Sequence, residues 1–253
     1  MIELRKPDEI AKLREANRIV AQTLDFLEGQ IQTGMTLKQI NAMAEEFILS
    51  KGAKPSFKGL YGFEGAICTS LNAVCIHGIP DETKIKEGDI LGLDVGTVKD
   101  GFYGDAARTI PIGKISAQDE ALIACAKETL EYAIDIIREG MRFKALSAKL
   151  GEFITKKGFV PLLNYCGHGI GTRPHAEPEI PNYLELGQSA KDGPKIKSGM
   201  VFCIEPMICQ KDGKPVHLNS DRWNAASADG LNTAHFEHCL AVIKGRAEIL
   251  SQP

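Results

Sequence analysis

Leu91-Gly92-Leu93-Asp94-Val95-Gly96-Thr97-Val98-Lys99-Asp100-Gly101-Phe102-Tyr103-Gly104-Asp105 is the stretch on which the fold turns. Within it, Lys99-Asp100-Gly101 is a hairpin signal, because Asp supports a tight turn and Gly supplies positive φ. The flanking segments, 90–98 and 102–110, are apolar and β-branched, so two antiparallel strands are predicted. A turn centred between Lys99 and Asp100 sets Asp94 directly opposite Asp105, with Cβ atoms roughly 4.5–5.5 Å apart. A plain three-residue loop would send the two side chains to opposite faces. The pairing therefore requires the tighter register or a bulge, and Gly101 favours a bulge. Two facing carboxylates among apolar neighbours repel, so a cation lies between them or one stays protonated. Asp94 also interrupts an apolar run, where an unpaired carboxylate is costly. Taken alone, the pair is more simply a solvated hairpin face with two incidental aspartates.

Outward from the hairpin, helices and strands alternate in blocks. Ile10, Leu13, Val20, Leu24 and Leu27 recur at helical spacing behind Pro7-Asp8-Glu9, which suits a first turn. Thr36 with Gln39 has the form of a capping box for a second helix, stopped at Gly52. Residues 66–75 read as a strand. Helical patterns follow at 117–138 and 144–157, ended by Gly140 and Gly158, and strands return near 200–208 and 236–243. Segment 178–199 is polar with three prolines and reads as a loop. The block order predicts an α+β fold, with helices on one face of the sheet. No linker tract or internal repeat divides the chain, so 1–253 is expected to be a single domain.

Composition narrows the classes further. Of 253 residues, 43% are hydrophobic and 25% charged, and 30 basic against 33 acidic residues leave a net charge of -3. That balance lacks the electrostatic footprint of a general nucleic-acid binder or a basic membrane-surface protein. The seven cysteines (Cys68, Cys75, Cys125, Cys166, Cys203, Cys209 and Cys239) form no Cys-x-x-Cys pair and sit mostly in apolar runs. They read as reduced core residues rather than a disulfide scaffold or zinc finger. The N-terminus has no apolar signal core, and no apolar run approaches the ~20 residues of a membrane span. The cytoplasm is the simplest compartment.

Three further sites carry chemistry. His168 sits in Gly167-His168-Gly169-Ile170-Gly171, with His175 seven residues on; the glycines allow close approach of backbone or ligand. A lone His here is more often a hydrogen-bonded core residue. A dinucleotide loop fits poorly, because the spacing is not G-x-G-x-x-G and no helix pattern follows. Glu205 lies inside the apolar run Phe202-Cys203-Ile204-Glu205-Pro206-Met207, and Glu237 opens another after Ala234-His235-Phe236. Either one is also compatible with an edge-strand charge facing solvent. Together, Asp94, Asp105, Glu205 and Glu237 carry four negative charges, which two divalent cations would neutralise. Oxygen-rich ligation with one imidazole suits Mn²⁺, Fe²⁺, Co²⁺ or Zn²⁺. Cations roughly 3.5–4 Å apart would share a bridging water, lower its pKa and clamp both oxygens of a hydrolytic transition state.

At this point the sequence resembles the type I methionine aminopeptidases of the pita-bread fold, from about Lys6 to about Leu250. The motifs are Cys68-Thr69-Ser70-Leu71-Asn72 leading to His77-Gly78-Ile79-Pro80, Asp94 with Asp105, Gly-His168-Gly-Ile-Gly, Ile204-Glu205-Pro206-Met207 and Phe236-Glu237-His238. The resemblance implies an antiparallel sheet core with two pairs of helices on its outer face. It implies that Asp94, Asp105, His168, Glu205 and Glu237 ligate two divalent ions (Co, Mn, Fe or Zn). Glu205 would also shuttle the proton of the metal-bridging water or hydroxide. His175 would bond the scissile amide and stabilise the oxyanion, and His77 would contact the substrate amide nitrogen and assist the leaving amine. Phe63, Cys68 and Trp223 resemble the wall around the methionine side chain, and Asn72, Val74 and Thr233 match a monovalent-cation position of some relatives. The implied activity removes the initiator methionine from nascent chains with a small second residue. The implied setting is a cytoplasmic monomer, with the ribosome among the partners suggested. Departures are Pro174 where the family usually has an aromatic, Leu60 and Phe63 where tyrosine is common, and a long 180–197 segment. These bear on pocket shape and specificity. The alternatives are a proline-specific peptidase of the same fold, or an inactive peptide-binding relative that would have lost metal ligands.

Overall fold

The computed structural model describes residues 2–218 and 222–253. Helix α1 (Pro7–Gln30) opens with Pro at its first position and Asp8 and Glu9 in its first turn, where carboxylates complement the helix dipole. Helix α2 (Leu37–Ser50) is capped by Thr36 as expected. The Thr36 hydroxyl accepts from Gln39 N at 3.1 Å, and Gln39 Oε1 accepts from Thr36 N at 2.8 Å. Gly52, at φ 68°, takes the left-handed turn after it.

The hairpin forms, with one difference. Ile90–Lys99 and Phe102–Pro111 pair in unbroken antiparallel register from Ile90 with Pro111 to Lys99 with Phe102. The turn is centred between Asp100 and Gly101, and there is no bulge. Both residues have positive φ (51° and 80°), as a type I′ turn demands, and this turn matches the right-handed twist of its strands. Asp94 therefore lies opposite Ala107, and Asp105 opposite Gly96. The two aspartates still share a face, as diagonal rather than direct neighbours.

Ile90–Lys99 pairs on its other edge with Lys54–Pro55 and Cys68–Leu71. α1 and α2 cover this sheet through a core that includes Leu24, Leu27, Ile40, Ile48, Leu91 and Val95. The second large sheet runs Arg246–Ile249, His238–Ile243, Val201–Ile204, Cys166–Gly169, Ala176–Pro181, all antiparallel. Helices α3 (Ala117–Ile136) and α4 (Phe143–Lys156) pack on it, with Phe143, Leu146 and Leu150 against Phe202 and Leu240.

Two expected strands are broken and a third is shortened. Asn72, at φ 55°, splits 66–75 into Cys68–Leu71 and Val74–Ile76. Pro206 has no N–H to donate, and 200–208 divides at Glu205-Pro206 into Val201–Ile204 and Met207–Cys209. The 236–243 run starts late: Thr233–His235 belongs to another small sheet, and the long strand begins at His238. Conversely, the loop expected at 178–199 begins as the edge strand Ala176–Pro181, a place where proline is tolerated.

The strand Phe102–Pro111 stitches the two halves together. Tyr103 N donates to Gly171 O at 2.9 Å, Glu237 N to Ala107 O at 2.9 Å, and Thr109 Oγ1 to His235 O at 3.0 Å.

Candidate metal centre and its pocket

The acidic residues converge on that stitch. Asp94 and Asp105 project from one face of the long hairpin, and Glu237 is held beside Ala107 by its own main chain. Glu205 follows the last residue of Val201–Ile204, at the break Pro206 creates, and its carbonyl accepts from the buried Asn182 amide at 2.8 Å. Helix α1 supports the hairpin from behind: Asn17 Oδ1 accepts from Asp105 N at 3.1 Å. Gly104 permits this approach, since a Cβ there would lie 2.7 Å from the Ala16 carbonyl carbon.

The glycines around His168 have a similar cause. A Cβ at Gly167 would meet Cys203 O at 2.4 Å, and one at Gly169 would meet Glu177 O at 2.0 Å, so neither strand neighbour could stay in place. His168 Nδ1 lies 3.1 Å from Gly169 O and donates there, which leaves the Nε2 lone pair facing the acids. Nε2 is 3.5 Å from Glu205 Oε1 and 3.8 Å from Asp105 Oδ2.

All four carboxylates are buried, at 9% (Asp94), 4% (Asp105), 9% (Glu205) and 3% (Glu237) exposure. Asp94 Oδ1, Asp105 Oδ1 and Glu237 Oε1 have no hydrogen-bond partner among the described residues. Burial pushes the Asp94 carboxyl up to about 6. Burial and the repulsion of neighbouring acids drive Asp105, Glu205 and Glu237 well above the carboxylate range. Burial also pushes His168 down to about 3, so its imidazole is neutral and supplies no compensating charge. Acids packed this way with orphaned oxygens and a free imidazole lone pair have the donor chemistry of a divalent-cation site. The residues fit metal ions.

Above this floor opens a cavity of about 540 Å³. His175 stands edge-on to His168, ring centroids 4.6 Å apart, and burial lowers its pKa. His77 adopts φ 58°, packs edge-on against Tyr165 and Trp223, and is pushed by burial down to about 4. Phe63 meets Trp223 edge-on at 5.1 Å, and Phe57, Phe63 and Cys68 form an apolar cluster with Leu60, Ile79 and Trp223 packed on it. The structure thus brings together the five expected ligands, both expected histidines and the expected pocket wall. Asn72 and Thr233 meet outside the cavity, where Asn72 O accepts from Thr233 N at 2.9 Å and from its hydroxyl at 3.1 Å; Val74 opens the next strand. The 180–197 segment packs on α4 and the turn before it, where Phe143 N donates to Pro194 O and Ile196 N to Met141 O, while Asn182 and Tyr183 at its start bond Glu205 O and Asn164 N beside the cavity. Pro174 lies in the turn between Cys166–Gly169 and Ala176–Pro181.

Three residues given no role from the sequence also reach the centre. His235 Nε2 is 3.6 Å from Glu205 Oε2, Cys203 lies beneath the acids, and the exposed Tyr61 lines the cavity with its ring near-parallel to His175, centroids 6.5 Å apart. His235 precedes Glu237 by two positions, and Cys203 precedes Glu205 by two. The strand period of two is the signal that could have found both. For Tyr61, set by a left-handed φ of 51° in a short turn, no such signal exists.

Fold and site together define a metallopeptidase: the chain belongs to metallopeptidase family M24, whose model matches residues 11–244. Within that family it groups with the methionine aminopeptidases. It is 55% identical over 251 residues to the methionine aminopeptidase of Helicobacter pylori (strain J99), covering 99% of each chain. The crystal structure of methionine aminopeptidase from Thermotoga maritima superposes with a TM-score of 0.95, covering 100% of both chains at 36% identity. A prolidase from Pyrococcus furiosus shares the fold alone, with a TM-score of 0.80 at 22% identity over 99% of this chain and 65% of the prolidase. The α+β architecture is the pita-bread fold.

Proposed function

We propose that this enzyme removes the N-terminal methionine from newly made polypeptides whose second residue is small. Two divalent cations would be held by Asp94, Asp105, His168, Glu205 and Glu237. The observation that carries this reading is the group of buried, mutually repelling carboxylates with orphaned oxygens on the floor of an apolar cavity. Bound cations in such a site lower the pKa of water and polarise a carbonyl oxygen.

The chain's own residues supply the rest. Phe63, Cys68 and Trp223 surround space suited to a polarizable thioether. Glu205 is placed to accept a proton from attacking water and pass it on. His175, neutral at pH 7 because its pKa is depressed, donates an N–H bond to the scissile carbonyl oxygen as negative charge develops there. His77, also neutral, contacts the substrate amide nitrogen and orients the leaving amine. Residues 1–253 act in this reading as one catalytic unit, a monomer in the cytoplasm meeting chains as they emerge from the ribosome. No helix among the described residues is long and apolar enough to cross a membrane.

The test is cleavage of a Met-X peptide series by metal-free protein reconstituted with Co²⁺, Mn²⁺, Fe²⁺ or Zn²⁺. Met-Ala-Ser and Met-Gly peptides should be cut, and Met-Leu and Leu-Ala peptides spared. Faster cleavage of X-Pro dipeptides would establish a prolidase instead, and no cleavage with any ion would leave a peptide-binding relative.

A further inference from the structure

Cys203 lies in the strand Val201–Ile204, directly opposite Cys239 in His238–Ile243. Alternation along these strands puts Cys203 and Cys239 on one face, and Phe202 and Leu240 on the other, against Phe143. The thiols thus line up beneath Glu205 and Glu237, two residues along each chain segment. Cys203 is fully buried. Its Sγ, one oxygen each of Asp105 and Glu237, and one nitrogen of His168 all lie within 4.8 Å of one another. Metal–sulfur bonds are roughly 2.3 Å and metal–nitrogen or –oxygen bonds roughly 2.0–2.2 Å, so donors on one tetrahedral ion lie roughly 3.5 Å apart, and 4.8 Å is the outer distance from which these four would draw in around a cation. The buried Asp105 Oδ1 and Glu237 Oε1 in the same cluster lack partners among the described residues. Cys203 also belongs to an apolar cluster with Cys239, Leu13 and Ile170, so its sulfur lies where that core meets Asp105, His168 and Glu237.

We infer that Cys203 supplies a sulfur ligand to the cation gathered by Asp105, His168 and Glu237. The inference rests on the metal-centre reading above and adds a soft donor to it. As the sulfur–metal bond forms, the thiol proton passes to a neighbouring carboxylate that lines the cavity and from there to solvent, and no oxidation state changes. The ordinary oxygen-and-imidazole set does little to separate Mn²⁺ from Zn²⁺ or Co²⁺ beyond their intrinsic order, whereas a thiolate tilts the site towards Zn²⁺ and Co²⁺. Cys203 is then a determinant of which metal the enzyme prefers.

The test uses full-length, metal-free protein titrated with Co²⁺ under reducing, anaerobic conditions. A near-ultraviolet thiolate-to-cobalt charge-transfer band should grow in with the bound metal. It should be lost in Cys203→Ser and kept in Cys239→Ser. Zinc affinity of Cys203→Ser should fall by about 10-fold or more while its manganese affinity holds, in keeping with the size of effects at metal sites. X-ray absorption of the zinc-loaded parent needs no variant and should show a sulfur scatterer near 2.3 Å. Cobalt bound without the band, or zinc with an oxygen-and-nitrogen shell only, overturns the sulfur assignment and leaves the metal centre standing. Cobalt that fails to bind at all overturns the metal centre with it.

Discussion

The two halves deliver their acids in opposite ways. In the N-terminal half, Asp94 and Asp105 sit well inside long, unbroken strands, where pleat and register alone decide that they share a face. In the C-terminal half, Glu205 and Glu237 sit just off strand ends, at breaks in the ladder, and are aimed by bonds to their main chains from other elements: the Asn182 side-chain amide to Glu205 O, and Glu237 N to Ala107 O. Regular pairing positions one pair of carboxylates; interrupted pairing positions the other. The difference teaches that a converging site can draw rigidity from both sources, provided that one strand serves both halves.

Asp105→Ala tests the regular half most severely. It should abolish cleavage of Met-Ala-Ser and lower metal content while far-ultraviolet circular dichroism stays unchanged. Equal turnover and equal metal in variant and parent would remove Asp105 from the centre. His175→Ala leaves both pairs of acids in place, so metal should be retained and kcat should drop by about 10²–10³ as one oxyanion donor is lost. Loss of metal in that variant would make His175 a ligand.

Two glycine substitutions then ask whether the halves are equally tight. Gly104→Ala would drive a methyl into the main chain of α1, and Gly167→Ala into the Cys203 carbonyl. Each should cost about 1–3 kcal/mol in urea unfolding, as overpacking against backbone does. An unchanged midpoint for either would show that its neighbour gives way freely. The smallest effect concerns pH. The His77 pKa of about 4 in the fold lies below the ordinary 6.5, so between these values the unfolded chain binds more protons. His77 thus contributes stability that is present above pH 6.5 and lost as pH falls through 4. In His77→Asn, whose side chain tolerates the same positive φ, the fall of Tm between these pH values should be shallower than in the parent. An identical slope would show that His77 gains no proton on unfolding in this range.

Much of the fold was legible because local chemistry and global structure agree. Thr36 with Gln39 marks α2, Gly158 closes α4, and Asp100-Gly101 announces the hairpin, whereas α3 stops at Ile136, where Ile137 turns extended four residues short of the end expected at Gly140. The turn centre was missed by one position: a bulge and a type I′ turn both use Gly101, and only the conformation of Asp100 separates them. The strand breaks at Asn72 and Pro206 were hidden inside apolar runs, where composition continues although pairing stops. The side chains of the candidate metal centre, Asp94, Asp105, His168, Glu205 and Glu237, were visible through their motifs, while Cys203 and His235 were not. Their residue types are at home in a core, and only their two-residue spacing from Glu205 and Glu237 hints at the face they share. The packing of 180–197 on α4 depends on distant contacts that no local pattern encodes.

The strand Phe102–Pro111 bonds to Gly171, Glu237 and His235 as well as to its own hairpin partner. A molecule sewn through its middle in this way cannot work as a jaw, because any gape between the lobes would first tear the rows that aim Asp105 and Glu237. The acids are then reached through the cavity lined by Phe63, His77, His175 and Trp223, with the two lobes still joined.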